Sequence, residues 1–308
     1  MFIAEVWRGD ICESLHACVV VEVDERGALL SAWGDPEFIT TFRSSAKPLQ
    51  AIPLVTLPNS EQLGLTDEEL AICCSSHPGS PRHTALAASV LALSGYIPDH
   101  LVCGPAGNPP VPLKHGCSGN HAGILAVAHL LGAPLQGYEK PDHPAQLLIR
   151  KMIALMASST DMRIATDSCG IPTYGLRLRE MAAAYASLCQ AGAHWERIPQ
   201  IMGKHPELIG PKERIDVRLM QASQGRIIAK TGAEGLLCLG LRDQGRGMAI
   251  KVLDGNPRPL GPVTWEALRR TGWMMTDVTH EHRLEELKQP KLWGPNGEVV
   301  GEIRLASA

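Results

Sequence analysis

The sequence is short of aromatics, of net charge and of long apolar runs. Only 6 Trp, 4 Tyr and 3 Phe occur in 308 residues, too few for the stacking platforms that hold single-stranded nucleic acid. Lys plus Arg number 29 against 32 Asp plus Glu, which leaves no basic footprint for a polyanion, so nucleic acid is not an expected partner. The most apolar stretch, Gly123 to Leu135, is broken by His129 and Pro134. It falls short of the ~20 residues a membrane span needs, and no membrane partner is expected. The N-terminal Met1-Phe2-Ile3-Ala4-Glu5-Val6-Trp7-Arg8 carries an early acid and no basic region ahead of an apolar run, unlike a secretory signal. The 9 cysteines are odd in number and irregularly spaced, which is not a disulfide framework. These features lead us to expect a reduced, cytoplasmic protein. Also missing are a His-Glu-x-x-His metal motif, a P-loop, a strand–Gly-x-Gly-x-x-Gly–helix unit and a Gly-x-Ser-x-Gly elbow.

What is present is enough apolar material, 44% of residues, for a full core. Ser14 to Glu22 reads as a strand ended by the turn Asp24-Glu25-Arg26-Gly27, with Ala28 to Trp33 as its partner and Phe38 to Phe42 as a short third strand. Helical composition follows over Asp67 to Cys74, Pro81 to Leu93, His121 to Leu131, Pro144 to Ser158 and Leu176 to Ala191. After Gly225 the chain returns to β at meander spacing: Arg226 to Lys230, Leu236 to Leu241 and Met248 to Val252. A helix over Pro262 to Thr276, a charged solvated helix over Asp277 to Lys291 and a last strand over Glu298 to Leu305 complete the reading. No repeat or linker divides the chain. The prediction is an α+β fold in a single catalytic domain, 1–308. Its antiparallel sheet is built from about 1–43 and 225–308, around a helical middle of about 44–224.

Ser44-Ser45-Ala46-Lys47 stands where the N-terminal strands give way to a helix. A serine hydroxyl is a weak nucleophile that needs a base, and on a helical turn Lys47 can reach Ser44. The helix start adds free N–H groups for a developing oxyanion. By itself Ser-x-x-Lys occurs by chance about once per 300 residues. Two further pieces strengthen it: Ser118-Gly119-Asn120, and Lys230-Thr231-Gly232 closing a predicted strand. The order Ser-x-x-Lys, Ser-x-Asn, Lys-Thr-Gly is that of the penicillin-recognising acyl enzymes.

The chain as a whole resembles a narrower group. Arg43-Ser44-Ser45-Ala46-Lys47-Pro48-Leu49-Gln50, Ser75-Ser76-His77-Pro78-Gly79 and His115-Gly116-Cys117-Ser118-Gly119-Asn120-His121-Ala122-Gly123 are similar to blocks of the asparaginase II family, the thermolabile rhizobial type. So are Asp167-Ser168-Cys169-Gly170-Ile171-Pro172 and Lys230-Thr231-Gly232-Ala233-Glu234-Gly235, and the blocks run in family order from about residue 10 to residue 252. The resemblance implies a serine-β-lactamase-like fold, hydrolysis of L-asparagine to L-aspartate and ammonia, a homodimer and no organic cofactor. It implies two Ser–Lys pairs, Ser44 with Lys47 and Ser76 with Lys230. Ser44 is then the nucleophile, with Ser76 relaying a proton to the leaving ammonia. Paired ammonium groups depress each other's pKa, so one can be neutral and act as base near pH 7. Arg43, His77, Asn120, His121, Asp167 and Gly232 are the expected substrate-binding positions.

The family also carries a zinc ion on two cysteines and a lysine. Cys117 and Cys169 match the cysteines, but Asn120 stands where the lysine belongs, and an amide is a poor zinc ligand. Zinc is therefore conditional, and two buried free thiols are the other reading. Two rival functions stay open: the same chemistry on glutamine, another small amide or a β-lactam, and a non-catalytic, zinc-held binding protein. Two intact Ser–Lys pairs argue against the second.

Overall fold

The computed structural model describes residues 1–273 and 284–306. An antiparallel sheet is assembled from both halves of the chain. The N-terminal part contributes β1 (Phe2–Arg8), β2 (Ile11–Val23) and β3 (Leu29–Trp33). A second sheet takes β4 (Ile39–Thr41), β5 (Arg163–Thr166) and β6 (Pro172–Arg177). The C-terminal part adds β7 (Ile227–Gly232), β8 (Leu236–Leu241), β9 (Arg246–Val252), β10 (Lys291–Trp293) and β11 (Val299–Leu305). The order in the large sheet is β10-β11-β1-β2-β9-β8-β7, with β3 also paired to β2.

Strand β2 holds the two chain halves together. Its first part pairs with β1 (Phe2 opposite Cys18), its second with β3 (Val20 opposite Trp33), and its other edge with β9 (Val21 opposite Ala249). Residues 18–23 are all buried, as are all six of β8, which requires cover on both faces of the sheet. One face carries the helix Leu178–Leu188, the other the helix Leu260–Thr271. Glycine makes the first contact possible: a Cβ on Gly247 would lie 1.9 Å from Ala182 O, and one on Gly240 would lie 2.8 Å from Tyr185 O. The buried Glu22 carboxylate is taken up by Arg246 and by Trp273 Nε1.

The α+β reading holds, with three local corrections. The strand expected at Phe38 to Phe42 does not extend the large sheet; β4 pairs with β6, and β6 with β5. The middle is therefore not purely helical. The helix expected from Leu176 begins at Leu178, because Leu176 and Arg177 still belong to β6 and Glu180 caps the turn by accepting from Arg177 N. In the C-terminal part, Gly272 ends the helix Leu260–Thr271 in a left-handed conformation, φ 74°. Of the predicted tail helix, 277–283 lie outside the described residues, 284–288 are helical, and Lys291 opens β10, paired with β11.

Candidate active site

Ser44 lies in a 3-10 turn, Arg43–Ala46, that runs directly into the short helix Lys47–Gln50. Arg43 sits at φ 47°, a left-handed conformation that costs about 1–3 kcal/mol in a non-glycine residue and persists only when its surroundings enforce it. They do. Phe42 N donates to Tyr174 O (2.8 Å) and Arg43 N to Thr173 Oγ1 (3.0 Å), both on β6. Ser45 Oγ donates to Lys230 O on β7 (2.9 Å), and the buried Tyr185 hydroxyl donates to Ser45 O (2.8 Å). Ser44 itself is half-buried, and among the described residues its hydroxyl makes no side-chain hydrogen bond.

The lysine beneath Ser44 turns elsewhere. Lys47 Nζ donates to Ser75 O (2.7 Å), Ser76 Oγ (3.0 Å) and Cys117 Sγ (3.3 Å). These acceptors match the three N–H bonds of an ammonium. Where spacing predicts a Ser44–Lys47 pair, the observed hydrogen bond joins Lys47 to Ser76.

Lys230 is wholly buried near the end of β7 and donates to Thr231 O at 2.8 Å. Burial, reinforced by the Arg214 guanidinium and the Lys47 amine, pushes it well below the usual lysine range, against the opposing pull of Asp216. Asp216, 3.7 Å away and also fully buried, went unnoticed in the sequence. It accepts from Arg214 Nε (2.7 Å), Thr231 N (2.9 Å) and Thr231 Oγ1 (2.8 Å). Burial alone would raise its pKa, but Lys230 and Arg214 outweigh burial and hold it below the ordinary carboxylate value. Gly232 lets β7 approach the serine turn: a Cβ there would lie 3.0 Å from Ser45 Oγ and 3.1 Å from Phe42 O.

Ser44, Ser76 and Gly232 open on one cleft of about 540 Å³, whose walls include Arg214, Arg218 and Arg258. Arg43, Asp167, Asn120, His121 and His77 do not line it. Arg43 Nε donates to Asp167 Oδ2 (3.0 Å) beside the turn. Asn120 Nδ2 donates to Gln50 Oε1 (2.9 Å) and Cys73 O (3.4 Å). His121 Nδ1 pairs with the Tyr138 hydroxyl (2.8 Å). His77 Nδ1 accepts from Gly79 N, so the ring is neutral with its proton on Nε2, toward Ser118 Oγ (3.0 Å). Ser118 in turn donates to Leu113 O (2.8 Å) and is buried away from the cleft.

The cysteines do not make a zinc site. Cys117 and Cys169 share a hydrogen bond; that bond, with Lys47 and His115, holds the Cys117 thiol far below its ordinary value, while the same bond and burial hold Cys169 above it. The Asn120 amide nitrogen is engaged with Gln50 and Cys73. Among the described residues no three His, Cys, Asp or Glu side chains are grouped to hold a metal ion. The three matched positions, two thiols and an amide, fall short of the four ligands of a structural zinc centre; Cys117 is instead engaged by Cys169, His115 and Lys47, and no step is assigned to a metal.

Two buried histidines make stability depend on pH. Burial, with His83 and Lys47 nearby, lowers His77 to about 3; burial, with Lys47, lowers His121 to about 4. In the unfolded chain each titrates near ~6.5. Below that pH the unfolded state takes up protons that the folded state refuses, so stability is full above ~6.5 and is lost as pH falls toward the folded values. The thermal midpoint is expected to fall steadily from pH 6.5 to 5, and His121→Gln to flatten that dependence. An unchanged midpoint over this window would remove the neutral-histidine assignment.

A family model described as L-asparaginase II matches residues 4–305. No curated protein matches the chain. Among solved structures the chain is similar to a β-lactamase from Mycobacterium bovis, at 12% identity and TM-score 0.44, over 78% of this chain and 88% of that one. It is also similar to Mglu in its native form, at 15% identity and TM-score 0.43, over 85% of this chain and 65% of that one. Among the described residues no helix is long and apolar enough to cross a membrane.

Proposed function

This chain belongs to the L-asparaginase II family, an asparaginase-type hydrolase family, and on that premise we propose that it hydrolyses L-asparagine to L-aspartate and ammonia through an acyl-enzyme on Ser44. One observation supports the reading: two serine hydroxyls, Ser44 and Ser76, open on a single cleft, Ser76 is bonded to Lys47, and burial pushes Lys230 well below the usual lysine range.

The Ser44 hydroxyl attacks the side-chain amide carbon. Its proton passes to the basic system of Lys230 and Ser76, and Ser76, held by Lys47, hands a proton to the departing ammonia. The amide N–H of Ser44 lies in the first turn of its helix, where no preceding carbonyl claims it. In this reading it and the outer edge of β7, the terminal strand of the sheet, receive the oxyanion. Water then splits the ester. The Arg43–Asp167 pair supplies one cation and one anion for the carboxylate and ammonium of the amino-acid head. Asp216 and Arg214 act on Lys230 electrostatically, in opposite directions.

The test is ammonia release from L-asparagine and L-glutamine side by side, with and without EDTA. Asparagine is expected to be turned over, with the chelator making no difference. Turnover of glutamine alone would reassign the substrate. Complete, zinc-reversible loss in EDTA would overturn the metal-free reading.

A further inference from the structure

The cleft is larger than asparagine requires. Its volume of about 540 Å³ falls in the ~300–1,000 Å³ range of pockets that hold drug-sized ligands, whereas the amide nitrogen of asparagine carries only hydrogen. From Ser44 and Ser76 the space runs along β7 to residues 257–261 and on to 286–290. Among the described residues its charged lining is three guanidinium groups, Arg214, Arg218 and Arg258, against the carboxylate of Glu286. Two of the three are engaged within the protein. Arg214 donates to Asp216 Oδ1, to Ser76 O (2.9 Å) and to Ile209 O (2.9 Å), and Arg218 donates to Glu286 Oε2 (3.0 Å).

Arg258 is held differently. Its Nε donates to His16 Nε2 at 2.8 Å, so that nitrogen is an acceptor and the ring proton sits on Nδ1, donated to Asp254 Oδ2. His16 is only 3% exposed, while Arg258 is exposed in the cleft. A buried imidazole thus fixes one edge of the guanidinium, and the two terminal nitrogens make no further hydrogen bond among the described residues. The Glu13 carboxylate acts on this guanidinium through charge alone, and a pre-oriented guanidinium whose terminal N–H₂ groups carry no hydrogen bond among the described residues is the geometry that takes a carboxylate bidentately.

We propose that this arm of the cleft receives an anionic substituent on the scissile nitrogen, so that the enzyme also hydrolyses β-aspartyl amides whose leaving amine bears a carboxylate, with Arg258 as the specificity-determining residue. The proposal rests on the asparaginase reading above and names a wider substrate class for the same site. The chemistry is unchanged. Ser44 Oγ bonds to the β-carbonyl carbon, the C–N bond breaks, and the amine leaves with the proton from the serine hydroxyl. One water then cleaves the ester, returning a proton to Ser44 and releasing aspartate. Arg43 and Asp167 do not line the cleft, and the proposal assigns them the amino-acid head and Arg258 the substituent.

The experiment compares kcat/KM for L-asparagine, β-aspartylglycine and its uncharged glycinamide, on the wild-type protein, Arg258→Gln and Arg258→Lys. The wild type is expected to prefer β-aspartylglycine over the glycinamide by about tenfold or more, mostly in KM, as one charge-assisted pair supplies. Arg258→Gln brings that ratio to about one, and Arg258→Lys, which keeps the charge but not the fork, leaves an intermediate ratio. Turnover of asparagine with no discrimination between the two derivatives overturns this inference alone. So does an Arg258→Gln variant that loses asparagine and β-aspartylglycine turnover equally, since Arg258 would then hold the amino-acid head. Inactivity of the wild type toward all three overturns the asparaginase reading together with it.

Discussion

Ser44→Ala lowers turnover of L-asparagine by about 10⁴-fold or more, because without the hydroxyl no ester can form and only binding and the oxyanion donors remain. The loss comes without a loss of fold. The Ser44 side chain is half-buried and makes no side-chain hydrogen bond among the described residues, so its removal moves stability by no more than about 0.5 kcal/mol. Ser45→Ala is the informative contrast. It deletes a buried bond to Lys230 O that ties the serine turn to β7, so it lowers the melting midpoint along with activity. Turnover and thermal midpoint measured on both variants separate the two roles. A Ser44→Ala protein that retains a tenth of wild-type turnover would show that Ser44 is not the nucleophile, and the same measurement on Ser76→Ala would then decide between the two hydroxyls in the cleft.

Lys47→Met and Lys230→Met are each expected to cost about 10²–10⁴-fold in kcat, the span of a positioned proton-transfer group. The double variant loses far less than the product of the single losses, since groups that act as a unit are not additive. The pH–rate profile carries the sign. The base must be neutral, and burial together with Arg214 and Lys47 sets Lys230 well below the ordinary lysine value of ~10.4. Activity is therefore lost as pH falls through that lowered pKa, and is retained as pH rises above it. In any residual activity of Lys47→Met the inflection moves to higher pH, because one of the charges that depresses Lys230 has gone. A profile with no acid limb at any pH at which the protein stays folded, or an inflection that ignores the loss of Lys47, would remove Lys230 from the role of base.

The parts of the fold that follow from local rules could be read directly. The β-branched run Val19-Val20-Val21 followed by an Asp24–Gly27 turn specifies a strand and a hairpin, and β2 and β3 form there. Glycine-bounded apolar runs after residue 225 give the β7–β8–β9 meander. The small sheet was not legible. Phe38 to Phe42 has strand composition, but composition does not say which edge a strand will join, and β6 offered it a partner some 130 residues away, as the bond from Arg43 N to Thr173 shows.

The same division runs through the site. The residue types and their order in the chain, Ser44-x-x-Lys47, Ser76, and Lys230-Thr231-Gly232 at the end of a strand, are local facts, and the sequence by itself determined them. Which groups meet was decided only by the tertiary structure. Lys47 reaches across 29 residues to Ser76 rather than up its own turn to Ser44, because three acceptors converge on it there. Asp216 comes to lie under Lys230 because β7 hydrogen-bonds to it through Thr231, and Arg258 is aimed by a histidine 242 residues earlier in the chain. The charge of a buried lysine and the direction of an arginine depend on distance and desolvation, and those quantities exist only once the chain has packed.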